Sequence, residues 1–238
     1  AEEAVEKAVE LLKASPISGG KLPVVLDEYM APRFLGMFFG AFSAESAQRG
    51  MSRLQGRLGE TIAIPELTLL DDPHRQGANR SCFLDAEGFL TKPLPLIEEG
   101  VFQNFLYHVE SANKEKKRST GHAVRGYSGG IGTRSHNLVW PTGEFSLEQL
   151  CAQNSKCLLV TQLEGQAGCN PVSGDISIGV QGFLIENGLR IQPVDSITLA
   201  GNFFDVMLNI RGSGNTYQPE LTHSFIPALL IEGLTVSG

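Results

Sequence analysis

The chain contains no apolar run approaching the 18 or more residues of a membrane-spanning helix. These residues are therefore not expected to cross a membrane as a helix, and a cytoplasmic setting is expected. Cysteine is scarce: Cys82, Cys151, Cys157 and Cys169 form no C-x-x-C pair and follow no metal-ligand spacing. In so long a chain they read as reduced thiols rather than a disulfide framework. Positive charge is in deficit, with 19 Lys and Arg against 26 Asp and Glu and a net charge of −7. That balance argues against general nucleic-acid binding. The five histidines, at 74, 108, 122, 136 and 223, are scattered with no H-x-x-x-H on a helical stretch. No cofactor and no metal site are read from them.

At 238 residues and 25.7 kDa, with 42% hydrophobic residues and 27 glycines, the chain can bury a full core. Its order of elements predicts an α+β fold, antiparallel sheets packed on a few helices. The stretch 33–50 predicts one buried, Gly-rich spine helix. Phe34, Leu35, Phe38, Phe39 and Phe42 recur at helical spacing on one side. Gly36, Gly40 and Ala44 fall four apart on another, a bare face suited to close approach of a second backbone. Strands are expected at 22–26, 61–64, 67–70, 94–97, 101–108, 138–140, 157–163, 176–180, 183–185, 189–194 and 229–236. Glu99-Gly100 and Asn187-Gly188 read as hairpin turns. Ser146-x-x-Gln149 is a capping box opening a helix, and Phe203, Phe204, Met207 and Leu208 mark a further helix ending at Gly212.

The region 111–136 differs from the rest, with Lys114, Lys116, Lys117, Arg118, Arg125 and Arg134 against Glu115 alone. It predicts a long, mobile basic loop. Within it Gly126-Tyr127-Ser128-Gly129-Gly130 matches a G-x-S-x-G nucleophile elbow, but the strand-turn-helix context that motif needs is missing. Gly174 to Phe183 alternates Ile176, Ile178 and Val180 with small or polar residues. Asp175, Ser177, Gly179 and Gln181 are the candidate peptide-binding positions, by addition of an extended peptide to the strand.

Several short motifs in fixed order carry a family resemblance. They are Pro-Val-Val-Leu-Asp at 23–27, Gly-Arg-Leu-Gly-Glu at 56–60, Leu-Thr-Leu-Leu-Asp-Asp at 67–72 and Asp-Ala-Glu-Gly at 85–88. Ser-Thr-Gly at 119–121, Gly-Cys-Asn-Pro-Val-Ser-Gly-Asp at 168–175 and Gly-Phe-Leu-Ile-Glu-Asn-Gly at 182–188 follow. Ile-Thr-Leu-Ala-Gly-Asn at 197–202 and Ile-Glu-Gly-Leu-Thr-Val at 231–236 complete the series. Together they resemble the C-terminal domain of the TldD/PmbA family, on the PmbA (TldE) side, from Leu22 to Gly238.

The resemblance implies an N-terminal domain in family members, with residues 1–20 as a connector helix from it and 21–238 as the C-terminal domain. TldD-like members are metalloproteases whose counterpart of the spine helix carries His-Glu-x-x-x-His, completed by a cysteine near the C-terminus. Aligned on the glycine before the second histidine, that motif falls here on Gly36, Met37 and Ala41, and 215–227 has no cysteine. A zinc protease needs three protein ligands and a general base. The resemblance therefore implies a non-catalytic, pseudo-protease subunit. Its partner would be a TldD-like chain or a second copy of itself, forming a dimer chamber that handles unfolded peptides. A stand-alone homodimeric binding protein is the alternative, and a serine hydrolase through Ser128 a third.

Overall fold

Short apolar runs separated by glycine turns fold into sheets, and few of them are long enough for a helix. The computed structural model describes residues 9, 10, 12–218 and 222–238. Residues 1–8 and 11 of the stretch 1–20, expected as a connector helix, lie outside those residues. Strands β1 (Gly20–Lys21) and β2 (Val24–Leu26) precede helix α1 (Met30–Gly36), a 3-10 turn (Phe39–Phe42) and α2 (Ala44–Gln48). Strands β3 (Leu69–Asp71), β4 (Leu94–Glu98) and β5 (Val101–Phe102) lead to α3 (Val109–Lys114). Then come β6 (Ala123–Arg125), β7 (Ile131–Thr133), β8 (Leu138–Val139) and α4 (Leu147–Ala152). The long strands β9 (Lys156–Glu164), β10 (Asp175–Glu186) and β11 (Leu189–Asn202) run into α5 (Phe203–Leu208). Strands β12 (Ile210–Ser213), β13 (Ser224–Phe225), β14 (Leu229–Ile231) and β15 (Thr235–Ser237) follow.

The α+β expectation holds. An eight-stranded sheet runs β1-β15-β11-β10-β9-β2-β14-β12, a five-stranded sheet runs β13-β8-β3-β4-β5, and β6 and β7 form a ribbon. Both predicted hairpin turns have left-handed backbone, at Glu99-Gly100 (φ 48° and 79°) and Asn187-Gly188 (φ 50° and 78°). That conformation matches the twist of the strands they join. Gly100 is obligatory for a second reason: a Cβ there would stand 2.6 Å from the Ala63 carbonyl oxygen. The capping box also forms, with Ser146 Oγ accepting from Gln149 N–H and Gln149 Oε1 accepting from Ser146 N–H.

Central strand β2 is buried on both faces. Val24 and Leu26 enter the main core, while Val25 joins a smaller one behind α4 with Leu150, Leu159, Phe183 and Leu230. The main core is threaded by aromatic rings. Phe38 stacks on Phe203 at 4.8 Å between centroids, Phe42 meets Phe102 edge-on at 5.7 Å, and Phe102 meets Phe105 at 4.8 Å. Such pairs add about 0.5–1.5 kcal/mol each to the burial of their area.

The spine differs from expectation. Stretch 33–50 is three short helical pieces, because Ala44 N–H donates to Leu106 O and Leu106 N–H to Phe42 O. The strand-like segment at 106 thus takes the backbone bonds a continuous helix would use, and Ser43 turns extended to cap α2. The bare face also has another purpose. A Cβ at Gly36 or Gly40 would meet no atom within 4 Å, so no backbone approaches it. Those glycines border open space.

The basic region 111–136 is likewise folded. It comprises the end of α3, a bend tied down by Lys117, and the β6-β7 ribbon, whose tip at 126–130 is exposed. Lys117 Nζ donates to Tyr107 Oη at 2.8 Å and pairs with Glu115 at 3.0 Å. Local carboxylate and phenol partners, absent from a simple charge count, hold the cations in place.

Candidate functional site

Around the bare side of α1 and the 3-10 turn lies a cleft of two adjoining lobes. The inner lobe, about 250 Å³, is bordered by Gly36, Gly40, Arg80, Arg134, His223 and Ser224 among others. The outer lobe, about 490 Å³, shares Gly36, His223 and Ser224 and adds Arg33, Met37, Gln166 and Gln218. No carboxylate lines either lobe among the described residues. Arg134 lies close enough to Arg80 to lower its proton affinity. Burial pushes the pKa of Arg80 down, Arg134 pushes it further, and Asp71 opposes them. Burial, then Arg80 and Arg134, also pull the pKa of His223 below its ordinary value.

Behind the cleft sits a buried cluster of Asp71, His122 and His136. Asp71 ends β3 and pairs with Leu138 of β8, which sets it beside His136 two residues earlier. His136 N–H donates to both carboxylate oxygens, at 3.1 and 2.9 Å. His122 reaches the same carboxylate from the segment entering β6, with Nε2 2.9 Å from Oδ2. A carboxylate only accepts, so Nε2 carries the proton. The other ring nitrogen lies 2.9 Å from Thr120 Oγ1. Burial pushes the Asp71 pKa up, but the hydrogen bonds from His122 and His136 outweigh it and hold the carboxyl at about 2. His136 Nδ1 has no hydrogen-bond partner among the described residues and lies 3.6 Å from Asp71 Oδ2.

These three side chains could hold a divalent ion, since one ligand atom from each lies within 4.8 Å of the others. Asp71 and His122 are wholly buried and His136 nearly so, which leaves no coordination position open to a substrate. The cluster is suited to a structural tie between β3, β8 and the β6 approach. The scattered histidines gave no sign of it in the sequence, because 51 and 65 positions separate Asp71 from its partners.

The positions read from the sequence fall as follows. Gly36 and Met37 border the cleft, whereas Ala41 is buried in the main core and its carbonyl accepts from Ser52 Oγ. None offers a metal ligand, and among the described residues the cleft offers one imidazole, His223, among guanidinium groups that repel a cation. A catalytic zinc does not fit here. His223, in the segment that lacks a cysteine, is the residue sequence reasoning passed over.

Asp175, Ser177, Gly179 and Gln181 lie on β10, with Asp175 and Ser177 exposed and Gly179 and Gln181 half-buried. Strand addition is not available to them. β10 pairs with β11 from Asp175 onward and with β9 from Gly179 onward, and Asn170 N–H occupies the Asp175 carbonyl. The alternating pattern that suggested an open edge belongs to a central strand with one solvated face. Ser128 sits in the exposed tip between β6 and β7, between two strands.

Residues 19–238 match the family described as the PmbA/TldA metallopeptidase C-terminal domain. The chain belongs to the TldD/PmbA family. It is 33% identical to the Escherichia coli O157:H7 protein named metalloprotease PmbA over 213 residues, covering 90% of this chain and 45% of that protein. The Haemophilus influenzae PmbA homolog is 34% identical over 238 residues, 100% of this chain and 50% of that one. The chain thus spans about half the length of these curated relatives. Among solved structures, a putative modulator of DNA gyrase from Thermotoga maritima superposes with a TM-score of 0.90 at 34% identity. It covers 98% of this chain and 54% of that one. TldE from Thermococcus kodakarensis superposes at 0.86 and 28% identity, covering 100% of this chain and 55% of that one. The likeness to TldE lies on the side of the TldD/PmbA family that the motifs indicated. Among the described residues no helix is long and apolar enough to cross a membrane.

Proposed function

We propose that this domain belongs to a non-catalytic subunit of a TldD/TldE-type metalloprotease, one that pairs with a TldD-like chain and shapes a chamber for unfolded peptides. The observation that carries the reading is the cleft at Gly36 and Met37. Where the catalytic relatives' motif would place a ligand and a base, this chain has a hydrogen atom and a thioether, faced by Arg80, Arg134 and His223. Zinc hydrolysis needs ligands and a base that this surface does not supply. In this reading the exposed face of β10, with Asp175, Ser177, Gly179 and Gln181, is a wall that peptide side chains touch, and a cytoplasmic setting accompanies it.

The test is reconstitution. Mixed with a relative carrying His-Glu-x-x-x-His, the protein is expected to co-elute as a mixed dimer and raise cleavage of unstructured peptides. Grafting His at 36 and 41 with Glu at 37 is expected to leave this chain inactive alone. A stable homodimer that associates with no such relative would transfer the conclusion to a stand-alone binding protein.

A further inference from the structure

We infer that the inner lobe of the cleft is a carboxylate-binding pocket that receives the C-terminal carboxylate of a peptide. The choice of a peptide as the carrier rests on the function proposed above; the preference for an anion does not.

Arg80, Arg134 and His223 all line a lobe of about 250 Å³, close enough for the two arginines to act electrostatically on His223 and for Arg134 to act on Arg80. Neither guanidinium forms an ion pair or a side-chain hydrogen bond among the described residues, and the side chains of Arg49, Arg57, Arg190 and Arg211 all do. Asp71, the acid nearest in charge to Arg80, is already engaged by His122 and His136. Arg80 is half-buried and Arg134 exposed at the rim, and two unmatched cations that repel each other there favour an anion between them. The planar fork of arginine matches the two oxygens of a carboxylate. Ser43, Ser135 and Ser224 border the same lobe, with hydroxyl groups of the kind that complete an anion's shell.

The space is there because Gly36 and Gly40 lack side chains; nothing lies within 4 Å of where their Cβ atoms would stand. Beyond Gly36 the outer lobe offers Tyr29, Gln166 and Gln218, which suits the amides of the residues preceding a chain terminus. A terminus fits the small inner lobe because it brings its charge with no further chain to accommodate.

The experiment measures binding of a fluorescent unstructured peptide to the full chain, by anisotropy, with no catalytic relative present. Four probes are compared: a peptide with a free C-terminus, the same peptide amidated, the amidated peptide with one internal Glu, and inorganic phosphate as competitor. Amidation is expected to weaken binding tenfold or more, the scale of a lost charged hydrogen bond. Arg80→Gln and Arg134→Gln should each weaken the free-carboxylate peptide by a similar factor and leave the amidated one unchanged. Gly40→Leu, which fills the lobe without touching a charge, should abolish the difference while circular dichroism shows the fold intact.

Equal binding of the Glu-containing amide would retain the carboxylate pocket and move its source to a side chain. Binding that ignores amidation, internal Glu and both arginines overturns the inference, and so does phosphate binding without binding of any carboxylate. If the pocket fails while the mixed dimer still raises proteolysis, only this inference falls. If the pocket binds and no relative associates, the pseudo-protease reading falls alone.

Discussion

His122 Nε2 lies 2.9 Å from Asp71 Oδ2, joining residues 51 positions apart at a point where both side chains are wholly buried. The contact fastens the approach to β6 onto the end of β3, directly behind the cationic cleft.

The first prediction follows from that pair. The Asp71 carboxyl is held at about 2 against an ordinary 3.8, so folding favours its ionised form. A depressed carboxylate adds stability above its unfolded value and loses it as pH falls through the folded one. The contribution, about 2 kcal/mol, should be complete above pH 4 and fade between about pH 4 and 2. Chemical denaturation across that window measures it. Asp71→Ala should cost about 3–5 kcal/mol at pH 7, because it strands two buried donors. An unchanged acid limb in Asp71→Asn would show that the pair does not carry this effect.

Glycines at two places should behave oppositely. Gly40→Ala meets open space and removes backbone freedom from the unfolded chain, so it should be neutral or stabilising by up to about 1 kcal/mol. Gly182→Ala would drive its Cβ into the Leu159 carbonyl oxygen, at the bulge where β10 shifts register against β9. A backbone collision of that kind should destabilise by about 1–3 kcal/mol or more. Urea midpoints for the two variants make the comparison, and equal midpoints would contradict it.

Trypsin gives the third prediction. Sequence charge alone directs the first cut in 112–134 to Lys116, Lys117 or Arg118. The structure directs it to Arg125, which leads into the exposed ribbon tip, while Lys117 is held by Tyr107 and Glu115. Mass spectrometry of the earliest fragments decides the order, and a first cut at 116–118 would show that Tyr107 and Glu115 do not hold the bend closed to the protease.

Local chemistry made much of the fold legible before any coordinates. The turn at Asn187-Gly188, the capping box at Ser146 and the apolar runs of β9 to β11 each declare themselves within a few residues. What stayed hidden depended on partners distant in sequence. Leu106 breaks the spine helix by taking its backbone bonds, β11, β9 and Asn170 occupy the edges of β10, and Glu115 with Tyr107 tames a basic loop. The candidate site divides the same way. Gly36 and Met37 were readable by their lack of chemistry, but no spacing announces that Arg80, Arg134 and His223 converge on them. Asp71 with its two histidines was equally silent, since 51 and 65 positions separate the carboxylate from the residues that meet it.

Strand β2, near residue 25, lies between β9 and β14, and β14 is made only at residues 229–231. The middle of the large sheet is therefore among its last parts to be completed as the chain leaves the ribosome. Until then β2 has at most one neighbour, and its other edge is an apolar strand open to unwanted pairing. Contacts spanning some two hundred residues also place the domain among slow folders, because distant ends must meet before pairing rewards them. A chain halted before residue 229 should be insoluble or held by chaperones, whatever the quality of the core already made.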